Sequence, residues 1–524
     1  MKNLPIGTQS FEVLRNDNAI YVDKTQHMLN LISSGRIYFL SRPRRFGKSL
    51  LINTFKELFK GNKQLFEGLY IYDKWDWSKK YPVIHLDFTE LDYATAEQLE
   101  TSLDKFLDDT AKRENITLDQ TKTRLISSKF SELIKKLHES TGKQVALLID
   151  EYDKPMIDSL IDKPVHDKLK RILHNFYQVI KGSDGHLKFV FMTGVSRFAG
   201  LSIFSALNNL IDITMDAEFS TICGYTQEEL ESSFKEYIEL AAKNLNLTYE
   251  ETISTIKRWY NGYSWNGKTS VYNPFSTLDF FRNKEFKGYW FSTGTPTFLL
   301  EQIKNKDLSS FEQPQKVTDY MLSNFNERSI DITGLLFQTG YLTIKNKETI
   351  AGSLLYTLDF PNKEVKDAFL MVLVSEYAGK SQIEIFDLNI RIHNALINKN
   401  GKELQEALTE LYANAVYDTD TKQEGQRQTL FVFTARLSGF EIETEVHTNK
   451  GRIDVVLKHK DFVVVVEIKY AKGKGSKLES KLKEAMVQIR RNKYYEKYIN
   501  SNPILLGIVF SEKKEIRCKF ERVK

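Results

Sequence analysis

Ser41-Arg42-Pro43-Arg44-Arg45-Phe46-Gly47-Lys48-Ser49 is the stretch that decides the fold of this 524-residue chain. It follows an apolar run at 37–40 and leads into a helical pattern over 50–59. A strand, Gly-Lys-Ser and a helix build a phosphate cradle, because backbone N–H groups at the helix start face phosphate oxygens. Lys48 would supply positive charge to the phosphates, and Ser49 a hydroxyl ligand for Mg²⁺. The predicted nucleotide-binding residues of this loop are Arg44, Arg45, Phe46, Gly47, Lys48 and Ser49.

The motif departs from its usual form at one position. Arg42 stands where G-x-x-x-x-G-K-[ST] requires its first glycine. Taken alone, the loop therefore has a competing interpretation as a surface turn rich in arginine.

A second motif follows about a hundred residues later, where the apolar run 145–149 leads directly into Asp150-Glu151. A continuous apolar run is typical of a strand buried on both faces of a parallel sheet, which binds ligands at its carboxyl end. There Asp150 would support the Mg²⁺, and Glu151 would act as general base on the attacking water. The alternative is a core strand that simply ends in solvated acids. The two motifs together favour ATP or GTP binding.

Two further apolar runs, 83–88 and 189–192, are predicted strands, and long helical patterns separate them. They complete the pattern of a parallel sheet. The sequence thus predicts an α/β fold with helices on both faces of the sheet. The second run leads into Thr193-Gly194-Val195-Ser196-Arg197, whose polar residues could sense the γ-phosphate. Arg197 would stabilise transition-state charge, with a structural salt bridge as the equally weighted alternative.

A valine-rich hairpin near the C-terminus carries a different set of charges. Asp454 lies on its first strand, and Glu467-Ile468-Lys469 ends its second. Glu467 and Lys469 share a face because side chains alternate along a strand. Asp454 joins them if it pairs opposite residue 465 or 467. The two carboxylates could then hold Mg²⁺, with Lys469 assisting the attacking water or the scissile phosphate.

Further candidates surround this hairpin. Glu445 would add a ligand from the preceding strand, Glu424 is a weaker candidate on a helix, and Gln488 could contribute from the next helix. That helix carries an apolar stripe suited to packing on a sheet. The plainer interpretation is a valine-rich hairpin with charged ends.

Composition limits the other classes of function. The net charge of +5, from 74 basic and 69 acidic residues, does not by itself indicate nucleic-acid binding. The segment from Lys469 to Lys497, however, contains ten Lys or Arg and only three Glu, interleaved with tyrosines. Such a face could follow a phosphate backbone or could be an ordinary solvated helix. The two cysteines exclude a disulfide framework, and no apolar run approaches a membrane span, so we expect a cytoplasmic protein.

The chain resembles the bacterial AAA-ATPase-like proteins that carry a C-terminal PD-(D/E)XK nuclease-like domain. The resemblance covers nearly the whole chain. It rests on the stretches 4–7, 21–25, 42–49, 148–153, 193–198 and 259–263. In that family an arginine-rich loop without its first glycine is usual, so Arg42 counts in favour of the resemblance. The proline that usually precedes the nuclease acid is replaced here by Ile453.

The resemblance and the motifs together lead to one expectation. A P-loop ATPase domain at 1–225, using ATP and Mg²⁺, controls a nuclease-like domain at 381–524 that uses Mg²⁺ or Mn²⁺ on nucleic acid, most plausibly DNA. The region 226–380 is expected to be a helical lid with a winged-helix-like helix and hairpin at 332–360. The alternative is a nucleotide-dependent regulatory or nucleic-acid-binding protein whose nuclease fold does not cut. Oligomeric state stays open.

Overall fold

The protein is described by a computed structural model over residues 1–119, 125–197, 209–290, 311–323, 332–415, 423–448, 451–472, 475–512 and 514–523. At 320, 323, 423, 424 and 448 only the backbone is described. The chain forms two compact units. Unit 1 comprises Met1–Leu300 and Pro314–Val365, and unit 2 comprises Glu301–Gln313 and Lys366–Lys524. The domain boundaries near 225 and 380 stay predictions.

Unit 1 is built on a five-stranded sheet. Its strands are β1 (Ile37–Ser41), β2 (Val83–Asp87), β3 (Val145–Asp150), β4 (Leu187–Gly194) and β5 (Ile211–Asp212). Their order is β2-β3-β4-β1-β5, and every pairing is parallel. This confirms the predicted α/β class. Because the strands are parallel, the loop after β1, the acids after β3 and the polar tip of β4 lie at the same edge.

Helices cover this sheet. They are α1 (Phe11–Asn16), α2 (Thr25–Ser34), α3 (Lys48–Lys60), α4 (Ala96–Arg113), α5 (Ile126–Thr141), α6 (Lys154–Asp158) and α7 (Lys163–Gly182). Short 3-10 turns occupy Lys63–Phe66, Phe88–Glu90 and Asp184–His186. The phosphate-loop helix α3 begins after Gly47, whose φ of 87° is a left-handed conformation that glycine adopts without strain. It ends at Gly61, which has a φ of 76°.

The remainder of unit 1 consists of helices and a small three-stranded sheet. It contains α8 (Gln227–Ser233), α9 (Lys235–Leu245), α10 (Tyr249–Tyr260), α11 (Pro274–Asn283), α12 (Asp319–Ser323) and α13 (Ile332–Thr339). Ile20 and Val22 of the N-terminal segment share a hydrophobic core with α8–α11. Tyr260, Tyr263 and Trp265 are buried, as expected for core and turn residues.

A helix and hairpin follow at the predicted place. After α13, β7 (Thr343–Ile350) and β8 (Ser353–Asp359) pair antiparallel, and β6 (Gln315–Thr318) adds a third strand beside β8. The hairpin turns at Ala351 and Gly352, with φ of 49° and 78°. Two consecutive positive φ angles match the right-handed twist of the strands.

Unit 2 contains a second five-stranded sheet. Its strands are β9 (Glu441–Thr448), β10 (Gly451–Lys458), β11 (Val463–Ala471), β12 (Pro503–Ser511) and β13 (Ile516–Arg522). Their order is β13-β12-β11-β10-β9, with β11–β12 the parallel pair.

The helices of unit 2 complete its core. They are α15 (Gln382–Asn398), α16 (Gly401–Tyr412), α17 (Gln423–Leu437) and α18 (Ser476–Arg491), with a 3-10 segment at Glu496–Ser501. The stripe predicted on α18 is buried: Leu478, Leu482, Ala485 and Ile489, joined by Met486. Helix α14 (Lys363–Ala378) begins in unit 1 and continues in unit 2. Among the described residues, no helix combines the length and apolar character needed to cross a bilayer.

Candidate active sites

A cavity of about 480 Å³ opens at the carboxyl edge of the unit 1 sheet. Ligand pockets in proteins have volumes of roughly 300–1,000 Å³. Its polar wall contains Arg44, Arg45, Gly47, Lys48, Ser49, Asp87, Thr89, Glu151 and Lys154. Its other wall contains Pro5, Tyr225, Pro274, Phe275 and Leu278. The cavity therefore joins a charged end to an apolar end.

Lys48 lies at the charged end and is held by two contacts. Its ammonium group donates to the Pro43 carbonyl at 3.2 Å and lies 3.3 Å from the Glu151 carboxylate. The Lys48 side chain is only 3% exposed. Glu151 itself adopts a left-handed φ of 52°. The structure thus places the predicted phosphate-binding cation beside the predicted general base.

Asp150 and Ser49, the two predicted Mg²⁺ ligands, are brought together. Asp150 is 1% exposed and accepts a hydrogen bond from the Thr193 hydroxyl at 2.5 Å. Burial and the charge of Glu151 raise the pKa of Asp150, while hydrogen bonds from Ser49 and Thr193 lower it. A buried carboxylate beside two hydroxyls is a plausible ligand set for Mg²⁺, which prefers oxygen.

Asp153 fixes the relative position of the β3 and β4 ends, a role that the motifs did not predict. The side chain is fully buried and accepts from the backbone N–H of Val195 and Ser196, the latter at 2.7 Å, and from the Ser196 hydroxyl at 2.8 Å. Burial and the charge of Glu151 raise its pKa to about 6. A Cβ on Gly194 would lie 2.4 Å from the Asp153 carboxylate, so only glycine fits there.

Arg42 replaces the expected glycine because it has a structural role. Its guanidinium group is fully buried and donates to the carbonyls of Ser41, Thr214 and Phe219 at 2.8–3.2 Å. It also lies 3.9 Å from the ring centroid of Trp265, a cation–π contact. Burial lowers its pKa to about 10. Arg42 thus stabilises the loop by joining the end of β1 to the segment that contains Thr214 and Phe219.

Besides the buried Asp150, two predicted site residues lie off the cavity wall. Phe46 is 1% exposed and packs edge-on against Tyr263 and Trp265, at centroid distances of 4.7 and 5.6 Å. Any contact of Phe46 with nucleotide therefore rests on its backbone. Arg197 lies 3.4 Å from Asp212 on β5, which is the salt bridge of the plainer interpretation. Its role in catalysis stays a prediction. Phe198 lies outside the described residues.

The strand register in unit 2 meets the condition for a shared face. Val455 pairs with Val466, and one further step places Asp454 opposite Glu467. On the other side, Ile453 pairs with Val446, and the same step places Asp454 opposite Glu445. Opposite residues of antiparallel strands point to one face. Asp454 and Glu467 therefore stand side by side on one face, whereas the left-handed φ of 54° at Glu445 interrupts the alternation on β9.

The surroundings of Glu467 raise the pKa of its carboxyl group. It is 1% exposed, and burial together with the charge of Asp454 raises its pKa to about 7. Its Oε1 accepts from the Lys469 ammonium group at 2.8 Å, and its Oε2 is buried without a partner among the described residues. Asp454 accepts from the Ile468 backbone N–H at 2.8 Å.

A divalent cation would relieve this arrangement. The partnerless Glu467 oxygen and the repulsion between two neighbouring acids are the features that a cation neutralises. Glu445 is engaged by Arg452 and Gln428. No cluster of three metal-ligating side chains occurs in the described part of the chain, so Asp454 and Glu467 alone fit a Mg²⁺ that keeps several waters.

Comparisons with known proteins identify both domains. Residues 5–204 match the family described as Predicted AAA-ATPase, and residues 422–520 match the PD-(D/E)XK nuclease superfamily. The "Uncharacterized protein in vnfD 5'region" of Azotobacter chroococcum mcd 1 is 36% identical over 519 residues, covering 97% of this chain and 96% of that protein. This chain belongs to the AAA-ATPase-like family with a C-terminal PD-(D/E)XK nuclease domain.

Two tyrosines of the basic segment in the nuclease domain belong to its core. Tyr494 and Tyr498 are 2% and 8% exposed and belong to the core between α18 and the sheet. Tyr470 lies beneath the Arg427 guanidinium at 5.2 Å. Lysines and arginines of α18 such as Lys483 and Arg491 are exposed. These exposed basic residues supply the positive charge of α18.

Helix α18 contributes a residue that sequence reasoning missed. Glu484 acts electrostatically on both Glu467 and Lys469, although it was Gln488 that the sequence suggested. Glu484 is exposed and lies away from the buried stripe of α18, so no spacing in the sequence marks it. The role of Gln488 stays a prediction, and the side chain of Glu424 lies outside the described residues.

Proposed function

We propose that the ATPase domain binds and hydrolyses ATP, and that its nucleotide state controls Mg²⁺-dependent DNA cleavage by the nuclease domain. The observation that carries this proposal is the meeting of Lys48, Ser49 and Glu151 in one cavity, with Asp150 tied to Ser49. These groups come from two separate strands, and phosphoryl transfer needs all of them at one place.

The ATPase step follows from these contacts. The ion pair between Lys48 and Glu151 at 3.3 Å means that a phosphate competing for Lys48 releases the Glu151 carboxylate. Glu151 then accepts a proton from the attacking water, while Lys48 balances charge on the γ-phosphate. Ser49 and Asp150 would hold Mg²⁺, which neutralises phosphate charge when bound.

The apolar wall of the cavity suits the nucleoside. Pro5, Tyr225, Phe275 and Leu278 line it. The guanidinium of Arg45 lies 4.9 Å from the Phe275 centroid, between this wall and the phosphate loop. A planar base contacts such a surface by stacking and by apolar packing.

In the nuclease domain, Asp454 and Glu467 would hold the divalent cation. Lys469 donates to Glu467 and has its pKa raised: the hydrogen bond and the charges of Glu467 and Asp454 outweigh the lowering effect of burial. A lysine that stays charged beside the metal can orient water and stabilise charge on the scissile phosphate.

The decisive experiment is cleavage of plasmid and linear DNA with Mg²⁺ or Mn²⁺, in the presence and absence of ATP. Lys469→Ala should lose cleavage, while Lys402→Ala, which removes an exposed lysine of α16, should retain it. Lys48→Ala should lose ATP hydrolysis and the response of cleavage to ATP. Equal cleavage by wild type and Lys469→Ala would overturn the nuclease assignment.

One alternative function has its own signature. If the nuclease fold binds nucleic acid without cutting it, ATP hydrolysis remains intact and no nuclease activity appears. DNA affinity then still falls steeply with salt, because the basic residues of α18 contact phosphates.

A further inference from the structure

Trp290 lies between the phosphate loop and the start of helix α14. Its indole N–H donates to the Arg44 carbonyl at 3.1 Å, and its backbone N–H donates to the Glu364 carboxylate at 2.7 Å. The Trp290 side chain is 7% exposed. One buried residue therefore holds a backbone group of the nucleotide-binding loop and the second residue of a helix that continues in unit 2.

The surroundings of Trp290 are tightly packed. Its ring meets Tyr341 edge-on at a centroid distance of 5.2 Å. Gly340 has a φ of 90°, and a Cβ there would lie 2.7 Å from the Pro43 ring and 3.6 Å from the Trp290 ring. The end of α13 thus approaches the phosphate loop so closely that no side chain fits between them.

A second contact, made by Gln338 of α13, reaches the β4 tip. The backbone N–H of Arg197 donates to the Gln338 side chain at 3.2 Å, and Gln338 donates to the Leu322 carbonyl at 3.1 Å. The end of α13 therefore contacts the β4 tip through Gln338, and Gly340, which follows α13, contacts the phosphate loop at Pro43.

Glu364 completes the connection. It is 1% exposed and also accepts from the Ser276 hydroxyl at 3.1 Å, while its Oε2 has no partner among the described residues. A buried carboxylate with few donors is sensitive to the position of each donor. Displacing the Trp290 backbone changes how well this charge is satisfied at the first turn of α14.

We propose that Trp290 is a positioning residue that holds Arg44 of the phosphate loop and, through Glu364, transmits the nucleotide state to helix α14. This rests on the proposed function, since it assumes that the loop binds ATP. The nucleotide changes the loop, the loop moves the indole, and the indole changes the stability of the helix that enters the nuclease unit. Coupling of this kind requires a contact that differs between the two states.

The test uses Trp290→Phe, which keeps an aromatic ring and removes the indole N–H together with one of the two fused rings. We expect ATP affinity, measured by calorimetry, to fall about five- to tenfold, as for the loss of one hydrogen bond. We also expect the ATP-induced change in hydrogen exchange of the peptide 363–378 to be lost. The matched control is Trp77→Phe, which removes an indole bond of 2.7 Å to the Tyr72 carbonyl away from the cavity. It should change neither.

Two variants of Glu364 separate positioning from folding. Glu364→Gln keeps an acceptor for the Trp290 N–H and should retain more of the exchange response than Glu364→Ala. A Trp290→Phe protein with the ATP affinity and exchange response of Trp77→Phe would overturn the inference. Failure of the proposed function looks different, because wild type and Lys48→Ala would then bind ATP equally poorly.

Discussion

The guanidinium group of Arg42 lies over the ring of Trp265 at 3.9 Å and donates to three backbone carbonyls. This relationship explains why a phosphate loop can lack its first glycine. In place of a flexible residue, the loop begins with a buried cation that ties β1 to the segment containing Thr214 and Phe219.

Restoring the glycine should therefore harm the protein. We expect Arg42→Gly to lower the free energy of unfolding by at least about 3 kcal/mol, because it leaves buried carbonyls unsatisfied and opens a void beside Trp265. Urea denaturation would measure this. Arg45→Gly is the matched control, since Arg45 is exposed and already adopts a positive φ of 69°. Equal losses in both variants would contradict a bracing role for Arg42.

The Asp153 carboxylate should be needed for catalysis without touching the nucleotide. We expect Asp153→Asn to reduce kcat for ATP hydrolysis by about tenfold or more, because an amide cannot accept from all of the Val195 and Ser196 donors and the β4 tip shifts. Steady-state ATPase assays would show the loss. Asp158→Asn, a partly exposed acid on the neighbouring α6 that pairs with Lys154, should keep its activity.

Glu364 predicts a pH dependence of stability. Burial raises its pKa from 4.5 to about 7. The folded state therefore binds more protons than the unfolded state between these values, and stability falls as pH rises through this window. The free energy of unfolding of Glu364→Gln relative to wild type should rise by about 3 kcal/mol between pH 4 and pH 8.

Denaturation at several pH values measures this difference. Glu285→Gln, which replaces an exposed acid, supplies the baseline. A wild-type curve parallel to that of Glu364→Gln would show that the carboxyl group is not buried as described.

Metal binding should stabilise the nuclease domain through Glu467. Mn²⁺ should raise the thermal unfolding midpoint of the wild type, because a ligand that binds only the folded state stabilises it. Glu467→Gln should lose this response, and EDTA should abolish it in the wild type. Glu484→Gln should keep it, since Glu484 is exposed and acts at a distance. A Mn²⁺ response that survives in Glu467→Gln would move the metal elsewhere.

The exposed lysines and arginines of α18 should govern DNA affinity, and the tyrosines should not. We expect Lys483→Ala with Arg491→Ala to reduce the slope of log affinity against log salt by about one unit per removed charge. Tyr494→Phe should leave the slope unchanged, because that ring is in the core. Fluorescence anisotropy at several salt concentrations would distinguish these outcomes.

Local order in the chain was enough to determine the elements that carry the two sites. Apolar runs without alternation fixed β1, β3 and β4 as buried parallel strands, and the residues directly after them had to meet at one edge. The same reasoning found the hairpin of Asp454 and Glu467, since alternation fixes which side chains share a face. Period and chain order are properties of the sequence itself.

Tertiary structure decided what each of these residues contacts. Arg42, Asp153 and Trp290 bond to groups distant along the chain, and no local pattern indicates which carbonyl or N–H will lie within hydrogen-bond distance of them. Burial likewise separated the tyrosines of the basic segment from its lysines, because the fold places Tyr494 and Tyr498 against the sheet. The elevated pKa of Glu467 has the same origin: it depends on removal from water and on the approach of Asp454 from another strand, and only the folded chain supplies both.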